Sequence, residues 1–359
     1  MRGRGYVPAL DGLRAVAVLA VLGLHAWGSL LPGGWVGVDI FFVLSGYLIT
    51  SILLSERARA GTISLRGFYT RRALRLLPAL GVCMVVAIAL ADLQGPDLTR
   101  ITEQEAAATA LYVANWWQVV TPHAPLGLLP HTWSLSIEEQ FYLCWPVLLC
   151  ALLRLGGRRA VLWGALVGSM LVLIDRIVLA SSFPLPYLTY FRTDTRVDSL
   201  LIGAALAALS AQGVLARIPG RVLRVAAIVG IATLTAVALH YPFDKLDRAG
   251  YTAIALAAAG VLAAVVAPDG WSALRSALGW RPLVMVGRVS YGFYLYHFVI
   301  LHGVVLRLVP MGPLAALITL VLTLGVAGLS YRYVEQPFLR MKERLPSRRP
   351  AAVPEPAAA

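Results

Sequence analysis

Arg14 and His25 stand eleven positions apart in an apolar stretch near the amino terminus. On a helix that separation is about 1,100°, three turns plus ~20°, with a rise of roughly 16 Å, so the two share one face. Imidazole titrates near neutrality and suits a general base that takes a proton from a hydroxyl, worth about 10²–10⁴-fold in rate. A guanidinium at the entrance of that face suits an anionic group. A snorkelling Arg and a hydrogen-bonded core His explain the pair equally well.

Other candidates follow in order. Residues 68–78 carry Arg71, Arg72 and Arg75, with Arg71 and Arg75 at i,i+4. Arg forks match phosphate oxygens, so the cluster reads as a phosphate clamp, or as plain topology and attraction to anionic lipid. Asp39 lies in a Gly-rich run that continues to Phe41, Phe42, Ser45 and Gly46. Small residues there permit close helix packing, whereas Asp39 needs a cation, a donor or water. Glu138 and Glu139 are adjacent and so ~100° apart; one lines a pocket, or both serve a helix start capped by Ser134 or Ser136. Arg192, Asp194, Arg196 and Asp198 form a cluster in which mutual ion pairing is expected. His297 sits in a late apolar run, and Glu335 is three positions from Arg332. No HExxH or paired-Cys spacing occurs, so no metal site is expected; Cys83, Cys144 and Cys150 read as small buried hydrophobes.

The elements that must position these groups are apolar. Of 359 residues, 59% are hydrophobic and 14% charged, with mean hydropathy +0.75; a soluble domain averages about 45–50% and 25%. Disorder, a secreted disulfide scaffold and an ordinary soluble enzyme are excluded. Apolar runs recur at 12–31, 35–55, 74–92, 135–153, 160–180, 197–211, 222–240, 249–267, 289–307 and 312–331. The expectation is an all-α polytopic integral membrane protein of about ten transmembrane helices. A charge at mid-bilayer costs about 2.5–3.5 kcal/mol, so the ionisable residues above need a reason to be there.

The net charge of +13 comes from 29 Arg and 2 Lys against 18 acids. Alternate loops beginning with the amino terminus carry 23 basic residues and the opposite set 6. That asymmetry points both termini to the cytoplasm and to a lipid bilayer as partner, not to nucleic acid. Asp11 and Arg14 interrupt the approach to the first run, which argues against a cleaved signal peptide. In the loop 92–133, residues 106–120 lie along the membrane surface or re-enter it. Residues 1–340 form the membrane domain, and 341–359 a basic, Pro/Ala-rich tail expected to be disordered.

Taken in order, these motifs resemble the acyltransferase-3 family of integral membrane O-acyltransferases. The resemblance rests on Pro8-Ala9-Leu10-Asp11-Gly12-Leu13-Arg14 with His25, on Gly37-Val38-Asp39-Ile40-Phe41-Phe42-Val43-Leu44-Ser45-Gly46, and on the Arg run ending at Pro78. Trp133-Ser134-Leu135 with Glu138, Arg196-Val197-Asp198, Ser290-Tyr291 through His297, and Glu335-Gln336-Pro337 complete it. The resemblance implies transfer of an acyl group, often acetyl, from a cytoplasmic acyl-CoA donor to a sugar hydroxyl, in a bacterial inner membrane and with no tightly bound cofactor. Arg14 and His25 match the family's functional pair. In this reading His25 is the base and Glu138 orients it or the acceptor, with Arg14, Arg71, Arg72 and Arg75 holding the donor's phosphates. Asp11, Asp39, Ser45, His297 and Glu335 support them. Some relatives add an extracytoplasmic esterase-like domain; here transfer is expected to finish in the membrane domain or on a separate partner. Two alternatives stand beside a cell-envelope glycan acceptor: acylation of a macrolide-type metabolite, and, from another class, ion-coupled transport. Transporters usually show paired halves with matching broken helices, and none is visible here.

Overall fold

The computed structural model describes residues 6–183, 185–245 and 248–343, and every regular element among them is helical. In chain order the α-helices are α1 Pro8–Ala26, α2 Val36–Ala60, α3 Leu65–Asp92, α4 Pro96–Ala110, α5 Ala114–Val120, α6 Trp133–Ser182, α7 Pro186–Phe191 and α8 Asp198–Ala211. They continue with α9 Gly220–His240, α10 Gly250–Val266, α11 Ser272–Leu278, α12 Arg281–Arg288, α13 Ser290–Gly303, α14 Pro313–Ser330 and α15 Gln336–Glu343. Of the expected tail 341–359, residues 341–343 belong to α15 and the rest lie outside the described residues.

Each of the ten apolar runs is helical. By length and composition, however, six helices among the described residues can cross a membrane, or seven if the pair α12 and α13, bent by 73°, counts as one span. The difference has identifiable causes. Runs 135–153 and 160–180 fall in the single element α6, broken where Gly156 and Gly157 leave helical geometry; Gly157, at φ 65°, needs the left-handed freedom of glycine. α8 and α10 are shorter, at 14 and 17 residues.

α8 is apolar around its whole circumference because α2, α6 and α10 enclose it. Glycine lets the backbones meet: a Cβ on Gly46 would lie 1.8 Å from the Leu200 carbonyl oxygen, and one on Gly203 2.1 Å from that of Val43. α1 packs on α2 in the same way, Gly37 lying against Ala17. Opposite this core, apolar side chains such as Val85, Leu171, Val225 and Val321 are each about 60% exposed, as on a surface facing lipid chains.

α1 ends at Ala26, five residues short of the apolar run. Gly28 and residues 32–34, Pro-Gly-Gly, cannot prolong it, and the Gly33 N–H instead donates to the Ala238 carbonyl. His25 therefore occupies the last turn of α1, not the middle of a span.

Candidate active site

α1, α2, α3, α6 and α13 surround a cavity of about 260 Å³. Its polar lining comes from Arg14 on α1, Ser45 on α2, Arg72 and Arg75 on α3, Ser134, Glu138, Glu139 and Tyr142 on α6, and Ser290, Tyr291 and Tyr294 on α13. α3 begins nine residues before its apolar run, capped by Ser64, which accepts from the Gly67 N–H at 3.2 Å. Its basic first turns are thereby brought onto the cavity.

Arg71, Arg72 and Arg75 of that helix part company. Arg71 turns to Glu56 at 3.5 Å and is not part of the lining, contrary to the expected clamp. Arg72 pairs with Glu139 at 2.6 Å and lies 3.3 Å over the Tyr142 ring, its Nε buried without a partner. Arg75 and Arg14 enter no ion pair among the described residues. Two unpaired guanidinium groups thus share one cavity, which favours an anionic ligand.

Glu138 does not reach His25. It accepts from Ser45 Oγ at 2.6 Å inside the cavity, so its expected role of orienting His25 is not met. The hydroxyls further in are also fixed: Tyr294 Oη donates to the His131 carbonyl at 2.8 Å, so Ser134 Oγ, 2.6 Å away, donates to Tyr294 Oη. Ser134 consequently has no base beside it, which weighs against a serine-bound acyl intermediate there.

His25 lies beyond this lining. Its Nδ1 is 3.0 Å from His297 Nε2, and its ring stands edge-on to Phe298 with centroids 5.1 Å apart. His297, fully buried, places Nδ1 2.6 Å from the Tyr294 carbonyl. Tyr294 thus touches both sides: its hydroxyl lines the cavity and its ring lies 5.4 Å from that of His297. Arg14 and Tyr294 line this cavity, and His25 does not. His25 nevertheless turns inward to α13.

The remaining candidates brace this arrangement. Asp39 is fully buried and takes both of its oxygens to Arg196, at 3.0 and 2.9 Å, with Ser199 Oγ at 3.0 Å. Mutual pairing within the 192–198 cluster holds only for Arg192 and Asp194; Asp198 instead pairs with Arg176 at 2.8 Å. Asp11 accepts from the Tyr6 hydroxyl at the start of α1. Glu335 does not pair with Arg332, which lies against the Tyr333 ring. It closes a π-helical turn, Tyr331–Glu335, whose wider winding removes the i,i+3 superposition. Its carboxyl is buried beside Gly292, with Oε1 unpartnered.

Sequence reasoning missed Tyr112, Tyr142 and Tyr294. Residues 106–120 fold inward: Tyr112, between α4 and α5 and at φ 54°, lines the cavity. Among the described residues no group of His, Cys, Asp or Glu is placed to hold a metal ion.

A multi-pass helical membrane protein with an Arg-lined cavity and a nearby histidine pair is the class these observations define. Residues 7–332 match the family model of the acyltransferase domain, and the chain belongs to that family, the one its motifs resemble. It is 36% identical over 351 residues to the peptidoglycan O-acetyltransferase OatA of Listeria monocytogenes, covering 93% of this chain and 56% of that protein. A Staphylococcus aureus protein provisionally named an O-acetyltransferase, SACOL0978, is 35% identical over 369 residues, 98% of this chain and 60% of that one. A Bacillus subtilis protein provisionally named a peptidoglycan O-acetyltransferase, YrhL, is 35% identical over 366 residues, 96% and 56% of the two chains. The chain therefore spans less than two thirds of the length of these relatives. No solved structure matches it.

Proposed function

We propose that the chain transfers an acetyl group from acetyl-CoA to a hydroxyl of a cell-wall glycan, in the bacterial cytoplasmic membrane with both termini inside. The single observation that carries this reading is the pair of unpaired guanidiniums, Arg14 and Arg75, in one cavity, with His25 three turns further along α1. The positive-inside asymmetry puts the Arg end at the cytoplasm, where an acyl-CoA is available. The donor's phosphates lie between Arg14 and Arg75, with the Nε of Arg72 as a further donor. Its thioester arm runs along α1 towards His25, over the roughly 16 Å between the two positions. His25 takes the proton of the acceptor hydroxyl as that oxygen attacks the acyl carbon. Glu138 and Ser45 line the arm's path. Asp39 with Arg196 holds α2 in register.

The glycan acceptor is drawn from the relatives, two of which carry peptidoglycan in their names. The same donor chemistry would serve a macrolide-type acceptor, but no feature of the cavity favours one. Ion-coupled transport is set aside by family membership. The test is labelled acetyl-CoA supplied to membranes containing the protein, with peptidoglycan fragments and a macrolide as separate acceptors. Label in the glycan ester supports the reading, and label in the macrolide alone overturns the choice of acceptor.

A further inference from the structure

The hydrogen bonds around α13 determine which nitrogen of His25 can act. A carbonyl oxygen only accepts, so the 2.6 Å contact between His297 Nδ1 and the Tyr294 carbonyl places a proton on Nδ1. In a neutral ring, His297 Nε2 is then a bare acceptor. The alternative is a doubly protonated His297, and it has nothing to balance it. The ring is fully buried, its titratable neighbours are His25, His131 and His302, its other ring contacts are Phe293, Tyr294 and Phe298, and no carboxylate touches it among the described residues. An unpaired buried charge of that kind is strongly disfavoured.

His25 Nδ1, 3.0 Å from His297 Nε2, must accordingly carry the proton it donates. We infer that His297 is a positioning residue that locks His25 in the Nδ1–H tautomer and so leaves His25 Nε2 as the basic nitrogen. The inference rests on the reading of His25 as the base. The geometry repeats the logic of a nucleophile's base held by a third group, with a histidine in the place usually taken by a carboxylate.

The proton traffic balances. The acceptor hydroxyl gives its proton to His25 Nε2 as its oxygen bonds to the acyl carbon of the thioester. The C–S bond then breaks, and the proton passes from Nε2 to the leaving thiolate, giving an ester and a free thiol. Throughout, Nδ1–H stays on His297, which accepts the stronger bond that a transient imidazolium donates.

The test is nitrogen NMR of the detergent-solubilised protein with ¹⁵N-labelled histidine, the six residues assigned by single His→Gln variants. The expected signature for His25 is a protonated Nδ1 and a bare Nε2; a protonated Nε2 overturns the inference. In His297→Leu, His25 should revert to the Nε2–H form, and kcat should fall about 10²-fold or more with KM for acetyl-CoA within about twofold. His297→Gln keeps an acceptor near the same point and should recover most of kcat. Wild-type kcat in His297→Leu overturns the inference. Should that variant fail to fold, the wild-type spectrum and His297→Gln decide. Full activity in His25→Ala would defeat the underlying base assignment instead, while the wild-type spectrum still decides the pairing.

Discussion

At the scale of single residues, what matters is which charges are already paired. Arg71 has Glu56 and Arg72 has Glu139, whereas Arg14 and Arg75 line the cavity and enter no ion pair among the described residues. Hydrogen bonds to charged groups contribute about 1.5–3 kcal/mol each. Arg75→Ala should therefore raise KM for acetyl-CoA by about 10- to 100-fold, and Arg71→Ala should leave it nearly unchanged; equal effects would contradict the assignment. A different result is expected at Arg196, whose partner Asp39 is fully buried. Arg196→Ala strands that carboxylate and should cost about 3–5 kcal/mol, read as a lower midpoint of thermal unfolding. Asp39 announced its need for a cation, a donor or water because an acid in a Gly-rich apolar run cannot stay bare. Its partner stayed hidden, 157 positions away in sequence. The same limit applied to His25 and His297: each residue type was visible, but not the contact between helices that joins them.

At the scale of elements, the apolar runs located the long apolar helices but not α4, and their ends were set by features that hydropathy does not weigh. Basic turns capped by Ser64 start α3 early, and Gly and Pro stop α1 early. The crossing of α2 with α8 depends on backbone contact, so Gly203→Ala should cost about 1–3 kcal/mol by overpacking, measured by thermal unfolding in detergent. The stretch 106–120, expected to lie along the membrane surface or to re-enter it, brings Tyr112 to the cavity, which hydropathy does not specify. It is anchored by Glu105 on α4, which accepts from the backbone N–H groups of Gly127 and Leu129 at 2.9 and 2.8 Å. Burial pushes the Glu105 carboxyl up to about 7, against those two donors. The folded protein thus keeps a proton that the unfolded chain releases near 4.5. The stability this contributes is complete below the unfolded value and is lost as pH rises through about 7. The unfolding midpoint should decline between pH 5 and pH 8, and Glu105→Gln should flatten that decline. An unchanged slope in the variant would count against the anchor.

At the scale of the whole molecule, one helix carries both groups on which the proposed reaction depends. α1 holds Arg14 against the cavity and His25 against His297 of α13, with Tyr294 in contact with both the cavity and His297. Spacing put Arg14 and His25 on one helix face, but that His25 turns to His297 and stays out of the cavity lining is a property of packing. The most direct test is transfer in proteoliposomes, with labelled acetyl-CoA on the side of Arg14 and a peptidoglycan fragment on the other. The account predicts labelled ester from the wild-type protein. It predicts none from His25→Ala, provided that variant keeps the wild-type unfolding midpoint. Ester formed at the wild-type rate by His25→Ala would contradict it.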